Sequence, residues 1–153
     1  MKTRLTDKEQ QYIKEELKEL MAAPESEIMK QCIQHGSVTT YDHVLNVTYM
    51  SYYLARKLRL SVDEISLLRG AYLHDFYLYD WHENGYIGRF HGLTHPKTAF
   101  ENATQRYELN KIQKNIILSH MWPLTLRSIP RCKEAVIVCL ADKYCAICES
   151  IRK

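Results

Sequence analysis

Four histidines and two aspartates in this chain have side chains of the kind that bind divalent transition metals in proteins. They are His43, His74, Asp75, His95, His120 and Asp142. Imidazole nitrogens and carboxylate oxygens suit Mn, Fe, Co, Ni and Zn ions. Asp142 directly follows the apolar run VIVCLA, and burying its carboxylate there would be costly without a cation or hydrogen bonds. A metal ion would meet that need, so the six residues are candidate ligands.

A purely structural explanation exists for each of these residues taken alone. A histidine in an apolar helix is commonly a core residue with a satisfied hydrogen bond, and Asp142 would then pair with a nearby Lys or Arg. The six residues lie on or beside five different predicted helices. Helical bundles commonly build metal sites from inward-facing side chains of facing helices, so a metal site is the alternative interpretation for the set.

The elements that must position these residues are helices. The 153 residues include only five glycines and four prolines, the residues that most often form turns. Few turns favour long helices over a many-stranded sheet. Helix starts are predicted at Thr6, Pro24, Thr39 or Thr40, Ser61 (in a capping box with Glu64), near Pro96, at Asn110 and near Lys133. Gly36 is predicted to end the second helix. The run AVIVCLA has strand-like composition, but its continuation through DKYCAICESI favours a buried helix ending near Ile151.

These patterns predict an all-α fold, a single-domain compact helical bundle of about six to eight helices. The domain is expected to span residues 1–153, with N-terminal helices in residues 6–35 packed on a metal-binding core in residues 36–153.

One long segment of the chain is predicted to be irregular. It reads FYLYDWHENGYIGRFHGLTHP from Phe76 and contains three glycines. Its aromatic residues are Tyr77, Tyr79, Trp81, Tyr86 and Phe90. Packing as a lid over the metal site is the favoured interpretation, and stacking on a nucleobase is the alternative. No role is assigned to His82 or Glu83.

The order of the candidate ligands resembles the HD-domain superfamily of metal-dependent phosphohydrolases, whose signature is H…HD…D. The stretch YDHVLNVTYMSYYLARKLRLSVDEISLLRGAYLHD is similar to the opening of that family, and ADKYCA is similar to its closing aspartate helix. Between them, THPKTAFENA and IILSHMWPL resemble the histidine segments of members with two metals. The resemblance covers roughly residues 35–150.

The resemblance implies a ligand set for two ions. His43, His74, Asp75 and Asp142 would hold the first ion. Asp75 would bridge to a second ion, with His95 and His120 as its further ligands. His91 is the second choice for the place of His95, which is preferred because Pro96 follows it and Ala99 lies at the family spacing.

The resemblance also implies the chemistry, which is hydrolysis of a phosphate ester or anhydride by metal-activated water. Asp75 and Lys143 are the candidate catalytic residues, with Lys143 contacting the phosphate. Lys97, Arg89 and Arg127 are weaker candidates for that contact, since each is better explained as a solvated surface cation. The expected cofactor is one or two divalent ions of Mn, Fe, Zn, Co, Ni or Mg.

The expected substrate is a nucleotide or another small phosphorylated metabolite. Two alternatives stay open: a non-catalytic regulatory module that binds a metal or ligand, and a di-iron oxygenase on the same scaffold. The sequence also leaves a homodimer open.

Composition excludes several other classes of protein. A net charge of +3 without any dense Lys/Arg run argues against a nucleic-acid partner. No apolar stretch has the length of a membrane span, so no membrane partner is expected.

Five cysteines without framework spacing suggest reduced thiols and a cytoplasmic protein. Cys145 and Cys148 form a CxxC, but burial as small apolar residues explains them, together with Cys132 and Cys139, better than a zinc site.

Overall fold

The computed structural model describes residues 4–82 and 85–152, and for residues 85–89 it describes the backbone alone. The all-α prediction is confirmed, because the described residues form seven helices and one small hairpin. The helices are α1 (Asp7–Ala22), α2 (Pro24–Gln31), α3 (Thr40–Lys57), α4 (Glu64–Leu73), α5 (Gly85–Arg106), α6 (Lys111–Ser119) and α7 (Lys133–Ile151). The hairpin strands are β1 (Ile33–His35) and β2 (Val38–Thr39).

Polar caps start three of the helices where the sequence predicts them. The Thr6 hydroxyl accepts from the Glu9 amide, and the Glu9 carboxylate accepts from the Thr6 amide at 2.8 Å. Asn110 and Gln113 form the same reciprocal capping box at α6. Thr39 caps α3 by accepting from the Asp42 amide at 3.1 Å. Each cap satisfies amide groups that have no partner within the helix.

The predicted capping box at Ser61 and Glu64 is wrong. Asp63 is the cap of α4, and its carboxylate accepts from the Ser66 amide at 3.0 Å. The amide of Asp63 donates in turn to the carboxylate of buried Glu134 on α7 at 2.9 Å. A long-range contact therefore fixes this helix start two residues later than the local pattern indicates.

The helix predicted to begin near Pro96 begins at Gly85 instead. Pro96 lies inside α5, where it lacks the amide of one intrahelical hydrogen bond. Buried side chains on both sides of it, His91, His95 and Ala99, anchor the helix against its neighbours. Their packing overrides the local preference of proline and of the glycines before it, so the irregular aromatic segment is shorter than predicted.

The β1–β2 hairpin was not predicted. Its strands pair antiparallel, with Ile33 opposite Thr39 and His35 opposite Val38. Gly36 lies in the turn with φ of +56°, a left-handed conformation that glycine adopts without strain. The prediction that Gly36 ends α2 is therefore wrong, since that helix ends at Gln31. The hairpin carries Gln34 and His35 to the buried centre of the protein.

Helix α4 lies at the middle of the core. It packs against α3, α6 and α7, and α1 packs on it as well. The contact with α6 is close, because a Cβ atom at Gly70 would lie 2.5 Å from Cδ1 of Ile116. Among the described residues, no helix has the length and apolar character needed to cross a membrane.

We expect Gly70→Ala to destabilise the protein by about 1–3 kcal/mol, because overpacking at this contact outweighs the helix propensity that alanine adds. Denaturant unfolding of the two proteins measures the difference. In an Ile116→Val background, which removes the nearest methyl group, the same substitution should cost less. Equal costs in both backgrounds would show that the contact does not limit the packing of α4 on α6.

Candidate metal centre

The fold brings all six sequence-predicted side chains together in its interior. His43 lies near the start of α3, His95 in α5 and Asp142 in α7. His74 and His120 are the residues that end α4 and α6, and Asp75 follows His74. Each of the six residues is buried, at 7% exposure or less. Their donor atoms form two groups that share Asp75, and within each group the atoms lie within 4.8 Å of one another.

The outer nitrogens of three of these histidines fix the direction of their rings. In each case Nδ1 lies against a backbone carbonyl oxygen: His74 on Ala71 at 2.6 Å, His95 on His91 at 2.6 Å and His120 on Ile117 at 2.7 Å. A carbonyl oxygen only accepts, so each Nδ1 carries a proton and donates it. In the neutral ring, Nε2 then presents its lone pair inward.

The second group consists of Asp75 Oδ1 and the Nε2 atoms of His95 and His120. The carboxylate oxygen lies 3.1 Å from one nitrogen and 3.2 Å from the other. The two nitrogens lie 2.8 Å apart. Asp75 Oδ1 is fully buried and accepts no hydrogen bond. Three electron-pair donors that converge so closely repel one another unless a proton or a cation lies between them, and a cation would satisfy all three.

The first group consists of His43, His74, Asp142 and the other oxygen of Asp75. His43 Nε2 lies 2.9 Å and His74 Nε2 lies 3.3 Å from Asp142 Oδ1. The same two nitrogens lie 3.5 Å and 3.3 Å from Asp75 Oδ2. Asp75 thus presents one oxygen to each group, which is the arrangement that a bridging carboxylate requires.

The electrostatics of the metal-free site agree with this geometry. Burial disfavours the charged form of His43, but hydrogen bonds to Asp142 and Glu149 outweigh it and raise the pKa of His43 to about 9. Burial is likewise outweighed at Asp142, whose pKa is held well below its usual range by the hydrogen bond from His43. Protons thus stand in for a cation in the first group, and an arriving metal ion must displace them.

His120 behaves differently from His43. Burial lowers its pKa, and the charge of Asp75 offsets this only in part. The ring of His120 is therefore neutral near pH 7, with its lone pair ready for a metal ion.

Glu149 is a candidate site residue that the sequence reasoning missed. Its Oε2 accepts from His43 Nδ1 at 2.7 Å, and its Oε1 accepts from the Asn46 amide at 2.9 Å. Helix α7 therefore contacts both nitrogens of His43, through Asp142 on one side and Glu149 on the other. The spacing of seven residues, two helical turns, places both carboxylates on one face and was the available signal. A carboxylate behind a ligand histidine fixes its ring and raises its basicity.

Gln34 was also missed, because the hairpin that carries it was not predicted. Its Nε2 donates to Asp75 Oδ2 at 2.8 Å. Its Oε1 accepts from the hydroxyls of Thr40 and Tyr77, which fixes the orientation of the amide. Gln34 thereby holds the shared carboxylate in place. His35, from the same strand, lies edge-on to the ring of His43, with 5.3 Å between ring centroids.

His91 lies beside the second group rather than in it. Its ring stacks on that of His95 with 4.3 Å between centroids and 12° between planes. Its Nδ1 lies 3.0 Å from the Tyr79 hydroxyl. Burial and the proximity of His95 lower the pKa of His91 to about 3. Among the described residues, His91 joins no cluster of three metal-binding groups. The geometry therefore favours His95 over His91 as the third donor of the second group, beside Asp75 and His120.

The described part of the aromatic segment packs against these rings. Trp81 stacks on His91 at 4.9 Å with 10° between planes, and the ring of Tyr77 lies 5.7 Å from that of His95. Phe90 is 39% exposed. His82 is exposed and contacts Asp80. Glu83 and the side chain of Tyr86 lie outside the described residues.

Lys143 is the candidate phosphate contact that the structure places beside the ligands. Its ammonium donates to the His120 carbonyl at 3.0 Å and contacts Cys139 Sγ at 3.2 Å. Lys97, which lies 4.0 Å from Glu101, is 80% exposed, and Arg127 is exposed as well. The side chain of Arg89 lies outside the described residues. Cys139 and Cys145 are buried, as predicted, whereas Cys132 and Cys148 are only partly buried, so the prediction is wrong for those two.

A cavity of about 700 Å³ opens beside the two groups. Asp75, His95, Asp142 and Lys143 line it. The candidate ligands are therefore reached by a space that is large enough for a small-molecule substrate.

Comparison with known families agrees with the site. The model of the HD domain family matches residues 40–147, which is more than half of the chain. The chain therefore belongs to the HD domain family, and the resemblance read from its sequence is confirmed. Members of this family are generally metal-dependent hydrolases. No curated protein and no solved structure matches the chain.

We expect Glu149→Ala to weaken metal binding by about 10–100-fold, because the ring of His43 loses the group that orients it. Glu149→Gln should lose less, since its amide oxygen still accepts from Nδ1. Calorimetric titration of the metal-free protein with Mn²⁺ measures both. Glu134→Gln, at a buried glutamate of the same helix outside the site, is the matched control. Unchanged affinity in Glu149→Ala would show that this carboxylate does not support the site.

The metal-free protein should lose stability as the pH rises from about 6.5 to about 9. Burial in the folded state opposes the charge of His43, but its carboxylate partners hold its pKa at about 9, above the ordinary value of 6.5. Its contribution is therefore complete below pH 6.5 and is lost as the pH rises through 9. Thermal melts in chelator across this range would show a falling Tm. A flat Tm would mean that these imidazole–carboxylate pairs do not stabilise the metal-free fold.

Proposed function

We propose that this protein is a metal-dependent phosphohydrolase acting on a small phosphorylated substrate such as a nucleotide. One observation carries the proposal: two groups of buried nitrogen and oxygen donors, oriented inward by their outer hydrogen bonds, share the carboxylate of Asp75. His43, His74 and Asp142 would complete one site with Asp75, and His95 and His120 the other.

The donor set fits first-row transition ions, since every donor is an imidazole nitrogen or a carboxylate oxygen. The buried Oδ1 of Asp75 supports the same fit, because it accepts no hydrogen bond and lies 3.1 Å and 3.2 Å from the Nε2 atoms of His95 and His120, positions that suit ligands of one ion. When bound, such ions activate a water molecule and neutralise phosphate oxygens.

The residues of the chain do the positioning. Gln34 holds the carboxylate of Asp75, and the hydroxyls of Thr40 and Tyr77 fix the amide of Gln34. Glu149 holds the ring of His43. Lys143 has three N–H donors, and its contacts to the His120 carbonyl and Cys139 can occupy two of them. The third can meet a phosphate oxygen in the cavity. The charge of Lys143 then stabilises the negative charge that develops on the phosphoryl group.

The reaction consumes one water molecule for each ester bond. The water oxygen forms a bond to phosphorus while the bond between phosphorus and the ester oxygen breaks. One proton of the water ends on the released alcohol, and the products are an alcohol and inorganic phosphate. No electrons are exchanged, so the reaction needs no oxidant or reductant.

The experiment combines metal content with turnover. We expect the purified protein, loaded with Mn²⁺, to hydrolyse 4-nitrophenyl phosphate or members of a nucleotide panel. Asp75→Ala should lose both bound metal, measured by elemental analysis, and activity. Asp42→Ala, at an exposed aspartate next to His43, should retain both. No hydrolysis with stoichiometric metal, or oxygen-dependent turnover with iron, would overturn the proposal.

The same experiment decides whether His95 or His91 is the third donor of the second group. His95→Ala should reduce the metal content, because it removes one donor of the second group. His91→Ala should leave the metal content unchanged, since the ring of His91 stacks on that of His95 and is not one of the clustered donors. The reverse result would move the second site to His91.

A further inference from the structure

The lining of the cavity beside the candidate ligands has two chemical characters. One set of residues is polar and includes Asp75, Asp142 and Lys143. The other set is apolar and consists of Trp81, Met121, Pro123, Leu124 and Ala146. Such a cavity suits a ligand with one charged end and one apolar end.

The apolar set comes largely from the segment between α6 and α7. Leu124 in this segment is 56% exposed, so its side chain lines the cavity and also faces solvent. Gly92 lies beside it, and a Cβ atom there would lie 3.4 Å from Cδ2 of Leu124. The absence of a side chain at Gly92 keeps the space next to Leu124 open. An apolar group bound there would remove the exposed surface of Leu124 from water, which favours binding.

The polar set offers little to a chain of phosphates. Among the described side chains that line the cavity, Lys143 is the one Lys or Arg. Two of its three donors are engaged by the His120 carbonyl and Cys139. Polyphosphates are held by several charge-assisted contacts or by a helix N-terminus, because each phosphate brings its own charge. Apart from the ions that the candidate ligands would hold, the described lining offers one side-chain cation, which matches one phosphate group better than three.

We infer that the substrate is a phosphomonoester with a single phosphate and an uncharged, largely apolar leaving group. This inference rests on the proposed function and specifies its substrate class. The phosphate lies at the polar end near Lys143. The leaving group lies against Trp81 and the segment that carries Met121, Pro123 and Leu124. Hydrolysis breaks the bond between phosphorus and the ester oxygen, and the ester oxygen leaves as the alcohol with a proton from water.

A matched pair of substrates tests the leaving group. 3-Phenylpropyl phosphate and glycerol 1-phosphate are both esters of primary alcohols, so their chemical reactivity is similar and a difference in rate reports binding. We expect kcat/KM to be at least tenfold higher for the phenylpropyl ester, through a lower KM. Adenosine triphosphate should be a poorer substrate than adenosine monophosphate. Equal values for the two esters, or a preference for the triphosphate, would overturn the inference while leaving the phosphohydrolase proposal intact.

A binding measurement tests the apolar end without metal or turnover. The chain has two tryptophans, Trp81 and Trp122, so in a Trp122→Phe background the fluorescence reports Trp81 alone. Titration of this metal-free protein with 3-phenylpropan-1-ol should give a saturable change. A protein that binds the alcohol but hydrolyses no phosphate ester would refute the proposed function and retain the apolar subsite.

A matched pair of variants locates the binding. Leu124→Asp should weaken binding of the alcohol and raise KM for the phenylpropyl ester at least fivefold. Leu126→Asp, at a leucine of the same segment that is 72% exposed and does not line the described cavity, should leave both unchanged. Circular dichroism checks that both variants fold. Identical behaviour of the two variants would show that the apolar lining does not bind the leaving group.

Discussion

The structure depends on one electrostatic constraint, the convergence of inward-facing imidazole nitrogens and carboxylate oxygens in the core. Asp75 lies at its centre, since each of its oxygens faces a different group of histidines. Such an arrangement is unfavourable by itself, because buried charges and lone pairs need partners. The helices that meet here must therefore be held together strongly enough by apolar packing to keep these groups in place until a cation or protons balance them.

The ends of α4 and α6 orient their histidine rings in the same way. His74 ends α4 and His120 ends α6, and each donates Nδ1–H to the carbonyl three residues earlier in its own helix. Carbonyls in the last turn of a helix lack the partner four residues on, so each ring can donate to one of them while its other nitrogen faces the site; the Ala71 carbonyl also accepts from the His74 amide at 3.4 Å. Helices α4 and α6 pack directly on each other, which brings both ends to Asp75. Helix termination and ligand orientation are thus a single feature.

The sequence predicted the parts of the site that depend on residue type and order. The six candidate ligands follow from residue type and order together with the family resemblance, and the structure brings them together in the core. The caps at Thr6, Thr39 and Asn110 and the extent of α7 follow local rules, and the structure confirms them. The parts that depend on long-range contacts were not predicted. Asp63 caps α4 because it also meets Glu134, and α5 extends through Pro96 because its buried histidines anchor it. The hairpin has strands of three and two residues, too short to show an alternating pattern.

The positions of Gln34 and Glu149 have a consequence for how this protein relates to its family. The family match runs from residue 40 to residue 147 and contains all six candidate ligands. Gln34 precedes this range and Glu149 follows it, yet Gln34 donates to the shared carboxylate of Asp75 and Glu149 accepts from His43. Two contacts that support the candidate ligands therefore come from sequence outside the range that the family model matches. Substitutions at these two positions would change metal affinity without altering any candidate ligand.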